Sequence, residues 1–214
     1  ISSNTISNIT STGAITGVNI GNIGNATTFN VNSNSITNLT SSGAGGTVIG
    51  LNNTQPATTL TNNTNLNTIT GLSSTAGAVT GIASSSASPT KAISNNTIGT
   101  LSSAGNGVSA ISSSTGTTIT ISTNGITGIT GTSVTGTSIV SGISVTGGAA
   151  ISITNNPIST LSSANDGSFR GIYVSPLGAT SNTISGNTIN GMTSTSTGVG
   201  FSVRAIEVQG TNNA

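Results

Sequence analysis

The sequence predicts an all-β chain, a parallel β-helix (solenoid) of about seven coils of roughly 30 residues with three short strands per coil. Three observations carry the prediction: an apolar pattern that returns every 28 to 33 residues, an asparagine at one fixed place in every unit, and a composition of strand and turn formers almost devoid of charge. The anchors are Ile6, Ile36, Ile69, Ile98, Ile126, Ile158 and Ile189, spaced 30, 33, 29, 28, 32 and 31 residues apart. Composition does not shift along the chain, so residues 1–214 read as a single domain, a segment of a longer solenoid or a filament protomer.

The first strand of a unit lies five residues before the anchor, at Ile1, Val31, Ile93, Ile121, Ile153 and Ile184, with Thr64 the exception. A turn follows, two residues before the anchor, at Asn4, Asn34, Asn67, Asn96, Asn124, Asn156 and Asn187. Coils stacked about 4.8 Å apart put these asparagines above one another, so each side-chain amide can donate to the next carbonyl. Asparagine is also expected to take the left-handed conformation of a two-residue turn. The second strand carries the anchor and, three residues on, Ile9, Leu39, Leu72, Leu101, Ile129, Leu161 and Met192. The third follows at variable distance: Ile15, Val18 and Ile20; Val48 and Leu51; Val79 and Ile82; Val108 and Ile111; Ile139, Ile143 and Val145; Phe169, Ile172 and Val174; Val203, Ile206 and Val208. Ile, Val and Thr suit a pleated surface, whereas Gly, Asn and Ser suit the turns between. One unit cannot bury its own apolar face, so stability must come from stacking neighbours.

The 214 residues hold five charged side chains, Lys91, Asp166, Arg170, Arg204 and Glu207. Three cations cannot neutralise a run of phosphates or hold an acidic bilayer surface, which excludes nucleic-acid binding and membrane-surface attraction. No stretch reaches the roughly 20 apolar residues of a membrane span. With no Cys and no His, disulfides and the usual soft-ligand metal sites are excluded, and no cofactor is expected.

Segments such as Ile93-Ser94-Asn95-Asn96-Thr97-Ile98, Ile153-Thr154-Asn155-Asn156-Pro157-Ile158 and Ile184-Ser185-Gly186-Asn187-Thr188-Ile189 resemble the parallel β-helix repeats of the pectate-lyase-like superfamily. The Ser, Thr, Asn and Gly bias is similar to that of secreted or surface-attached repeat proteins of Bacteroidota. The resemblance spans the chain and implies a right-handed coil, the asparagine at its tight turn, and a secreted, extracellular or cell-surface location. Enzymes of the superfamily use calcium-binding Asp clusters with an Arg or Lys base, or paired Asp and Glu, and this sequence departs from all of those patterns.

No catalytic, cofactor or metal residue is therefore assigned. Asp166, in Asn165-Asp166-Gly167, reads as a turn. Glu207 lacks a second carboxylate for hydrolytic chemistry. Arg170 and Arg204 are expected to neighbour each other on consecutive coils, with Glu207 level with Tyr173. These four form a candidate surface patch for a glycan or protein, Tyr173 being its stacking platform, set against the plainer reading of a solvated ion pair. Four residues after the anchors, Thr10, Thr40, Ser73, Ser102, Thr130, Ser162 and Thr193 point outward by alternation, an array suited to ice or glycan, although loops of changing length are expected to interrupt that face. Asn8, Asn25 and Asn38 stand in Asn-x-Thr triplets that chance explains in so Asn- and Thr-rich a chain. The glycine-rich stretch Gly43–Gly46 precedes no helix and lacks a lysine, so it is no phosphate cradle. The expected function is a non-catalytic extracellular rod or filament subunit with an adhesive role. Its partners would be further coils, stacked end to end or continuing the same solenoid, and a surface glycan. An ice- or glycan-binding solenoid is the alternative, a β-helix carbohydrate-active enzyme the third.

Overall fold

The computed structural model of the chain describes residues 1–22, 24, 26–133, 138–164, 167–175, 181–196 and 202–210. Every element in them is a strand, and the strands form three parallel sheets. The first sheet stacks β1 (Thr5–Ser11), β4 (Ser35–Ser41), β7 (Thr68–Ser74), β10 (Thr97–Ser103), β13 (Gly125–Gly131), β16 (Pro157–Ser163) and β19 (Thr188–Ser194). The second stacks β2 (Ile15–Ile20), β5 (Val48–Asn53), β8 (Val79–Ser84), β11 (Val108–Ser113), β14 (Val140–Val145), β17 (Ser168–Val174) and β20 (Ser202–Val208). The third holds β3 (Thr28–Asn32), β6 (Thr61–Asn65), β9 (Thr90–Ser94), β12 (Thr118–Ser122), β15 (Ala150–Thr154) and β18 (Ser181–Ser185). The chain is thus a β-solenoid of six full turns and two strands of a seventh, close to the seven coils that the spacing predicts.

Register follows the sequence columns. Ile36 pairs with Ile69, Ile69 with Ile98, and Ile98 with Ile126. These anchors, the Leu39 to Leu161 column and the inward valines and isoleucines of β2 to β17 in the second sheet are buried as one continuous core. Thr64 takes the inward place of its column in the third sheet, level with Val31 and Ile93, and is buried there.

Three local features were not foreseen. In the first sheet the inward residues lie three apart rather than two, because a residue with positive φ is inserted between them: Asn8, Asn38, Gly71, Thr100, Gly128, Thr160 and Gly191. That insertion turns the next side chain back to the core and produces the spacing of three. At the two-residue turn, the left-handed residue is not the column asparagine but the one before it, Ser3, Ser33, Leu66, Asn95, Thr123, Asn155 and Gly186. The asparagine itself keeps an ordinary backbone because its side chain must point inward to bond. Finally, Val140 rather than Ile139 begins the inward set of β14: Val140 is buried, whereas Ile139 stays 44 % exposed. Val140 pairs with Val108 and Phe169, so the column leaves Ile139 just outside the strand.

Exposure of apolar side chains rises where a described coil has a neighbour on one side only. Ile9 in β1 and Val203, Ile206 and Val208 in β20 are exposed although their columns are buried elsewhere.

Candidate functional site

The asparagine column becomes a hydrogen-bonded ladder inside the turn between the third and first sheets. Asn67 Nδ2 donates to Asn96 Oδ1 at 2.9 Å, Asn96 Nδ2 to Asn124 Oδ1 at 2.9 Å, and Asn124 Nδ2 to Asn156 Oδ1 at 3.0 Å. Asn4 to Asn34, Asn34 to Asn67, and Asn156 to Asn187 complete the series. Each receiving Oδ1 also accepts the backbone N–H of the same donor residue, as Asn96 does from Asn67 at 2.9 Å. The second amide hydrogen goes to a carbonyl of the preceding coil, from Asn96 to Thr64 O and from Asn124 to Ile93 O, both at 2.9 Å. An amide has two acceptor lone pairs and two donor hydrogens, and each interior rung uses all four. From Asn34 to Asn156 the rungs are buried and fully satisfied, so the ladder needs no ligand to explain it. It is also directional: side-chain donors point toward the C-terminal coil and acceptors toward the N-terminal one.

The predicted patch does come together. Arg170 pairs with Arg204, and Tyr173 with Glu207, on β17 and β20. Its members are occupied with one another. Glu207 accepts from Arg170 Nε, from Arg204 Nη1 at 2.9 Å and from Gln209 Nε2. The Arg170 guanidinium also donates to Ser168 and lies 4.0 Å over the Tyr173 ring, while Tyr173 OH donates to Gln209 Oε1. Arg170 and Glu207 are each 8 % exposed, so this is a covered clamp across the outer face of two coils rather than a solvated pair, and Arg170 occupies part of the platform expected of Tyr173. Burial alone raises the Glu207 carboxyl, but the bond from Arg204 and the charge and bond of Arg170 outweigh it and hold the carboxyl below its usual range. Arg204, with its side chain 45 % exposed, is the member that still faces solvent.

The outward hydroxyl column is continuous. Thr10 pairs with Thr40, Thr40 with Ser73, Ser73 with Ser102, Ser102 with Thr130, Thr130 with Ser162 and Ser162 with Thr193. The loops of changing length leave from the strand ends, not from within the column. On the second sheet, an uncharged depression of about 220 Å³ lies over Ser109, Ser112, Ser141 and Ser144, with Ile139 at its edge. That is below the roughly 300–1,000 Å³ that encloses a small molecule, so a partner here would lie on the surface.

Asp166 and Asn165, and Asn25 of one Asn-x-Thr triplet, lie outside the described residues. Asn8 and Asn38 are exposed on the first sheet, and Asn38 Nδ2 donates to Asn8 Oδ1 at 3.0 Å. The residue that sequence reasoning passed over is Lys91, which is buried at 1 % exposure. The signal was present: Phe29, Asn62, Lys91, Ile119, Ile151 and Asn182 each stand seven residues before an anchor, two before the first-strand column, and alternation turns them inward.

Comparison with family models, with curated proteins and with solved structures finds no match.

Proposed function

We propose that this chain is a non-catalytic segment of an extracellular structural rod or filament, with its neutral outer faces serving adhesion. The observation that carries the reading is the directional asparagine ladder. It links seven asparagines in one sense, each interior rung donating to the coil after it and accepting from the coil before it. A ladder of this kind can be extended by another coil of the same kind, from further chain or a second copy. A surface with three described charges gathered on two coils, and hydroxyls elsewhere, favours broad weak contact over chemistry at one point. Membership of the pectate-lyase-like superfamily, with its right-handed coil, belongs to this reading, and the strong preference of parallel crossovers for the right hand supports it.

Electron microscopy and sedimentation of the chain test it. Rods longer than one chain, growing with concentration, are expected; compact monomers at every concentration would overturn self-stacking. A second reading, an ice- or glycan-binding face, is favoured by the unbroken Thr10 to Thr193 column. Thermal hysteresis and glycan arrays, repeated with Ser102→Lys and Thr130→Lys, distinguish it: binding lost in the variants supports the second reading. Glycan cleavage abolished by Asp166→Asn would support the enzyme reading instead.

A further inference from the structure

Lys91 is the chain's only lysine, and it is among the largest fully buried side chains. It lies in β9 in an inward column, between Asn62 of β6 and Ile119 of β12. Its ammonium donates to two backbone carbonyls, Ser84 O at 3.1 Å and Ser114 O at 2.5 Å, at the ends of β8 and β11 on successive coils. Gly116 packs on its stem: a Cβ there would lie 3.0 Å from Lys91 Cε and 3.1 Å from Ser88 O.

The groups met at this corner are Asn62 of β6 and Ile119 of β12, level with Lys91, the Ser84 and Ser114 carbonyls that bond it, and Gly116 with the Ser88 carbonyl beside its stem. None is titratable. Asn62 is engaged with Asn53 through reciprocal bonds of 2.8 and 3.0 Å, and the buried Ser113 hydroxyl has no partner. The other described charges, Arg170, Arg204 and Glu207, sit on β17 and β20 and satisfy each other. A protonated Lys91 is therefore an internal charge held by carbonyl dipoles alone, a costly state for a buried cation.

We infer that Lys91 is a proton-operated weak point of the stack: protonated, it makes the coils of β8 to β12 the first to open, and deprotonated it lets them close. Burial lowers its amine from 10.5 to about 8, so the charge changes near physiological pH. The direction is fixed by linkage. Above about 8 the unfolded chain still binds the proton that the folded chain has released, so stability rises with pH and reaches its full gain near 10.5. This inference concerns the fold and stands apart from the rod reading.

The test is denaturant unfolding of the whole chain from pH 7 to 9.5, for the wild type and Lys91→Met, together with NMR titration of 13Cε-labelled lysine, which gives a single side-chain signal. The amine should titrate near 8, and the wild-type unfolding equilibrium constant should fall by roughly 30-fold across that range relative to Lys91→Met. Hydrogen exchange at pH 7 should be faster in residues 84–92 and 113–119 than in β15 and β16. An amine titrating near 10.5, or an equal pH slope in the variant, would overturn the proposal. Should Lys91→Met fail to fold, the wild-type titration and the exchange pattern decide it.

Discussion

Two corners of the coil solve the same problem, a change of direction in a buried chain, in opposite ways. Between the third and first sheets the connection is two residues in every coil, as at Ser33-Asn34 and Asn95-Asn96. Between the second and third sheets it changes from coil to coil, with seven residues after β5, five after β8 and four after β11. Constant length keeps equivalent atoms one strand spacing apart, so one side chain repeated seven times satisfies the backbone and itself. Variable length denies that solution, and each coil meets its buried polar groups separately: Asn53 with Asn62, Ser86 with Ser88, Lys91 with two carbonyls. Repetition is stable where geometry is fixed; where geometry drifts, the core becomes polar and locally expensive.

The largest effect expected from this difference comes from length itself. One glycine inserted between Asn95 and Asn96 displaces a rung and should cost about 5 kcal/mol or more, whereas the same insertion between the exposed Ala57 and Thr58 should cost about 1 kcal/mol or less. Equal costs in urea unfolding would erase the distinction between the corners.

Asn96→Ala comes next. It strips partners from the Asn67 backbone N–H, the Asn67 amide and Thr64 O, so a loss of about 4 kcal/mol is expected. Removing Asn53 at the other corner should cost about half as much, since it bonds mainly to Asn62.

Glu207→Gln asks whether the outer clamp matters as the corners do. It leaves Arg170 buried without its anion, and a loss of about 2 kcal/mol is expected, confined to β17 and β20 in hydrogen exchange. Because the folded carboxyl lies below its ordinary 4.5, the clamp's contribution should be intact above that pH and fade as pH falls through the lower folded value. An acid profile unchanged by the substitution would count against it.

The smallest effect is a gain. Thr123 is β-branched and held at φ 58° in the constant turn, so Thr123→Gly should stabilise by about 1 kcal/mol, less the added freedom of the unfolded chain. A loss would mean that its side chain contributes packing unaccounted for.

The same contrast explains what could be read in advance. The ladder, the three strands and the core columns were legible because identical residues recur at fixed offsets. The left-handed turn position was not, because Ser33, Leu66, Asn95 and Thr123 share a conformation but no chemistry. Apolar character does not tell Ile139 from Val140; only the spacing of three to Ile143, shared with Val108 and Ile111, separates them. Of the candidate patch, register placed Arg170 beside Arg204 and Tyr173 beside Glu207, but burial of the Arg170–Glu207 pair depends on how the side chains fold over the sheet, which spacing does not encode. Lys91 hid in the variable corner, in a column whose other members are Phe, Asn and Ile.

The most direct test of the stacking account is a high-resolution crystallographic or cryo-EM map of the chain at Asn96 and Asn124. The account requires Asn96 Nδ2 within hydrogen-bond reach of Asn124 Oδ1, at 2.9 Å, with Asn67 and Asn156 continuing the same line. A map that places these amides in separate environments, with Ile98 and Ile126 unpaired, would contradict it.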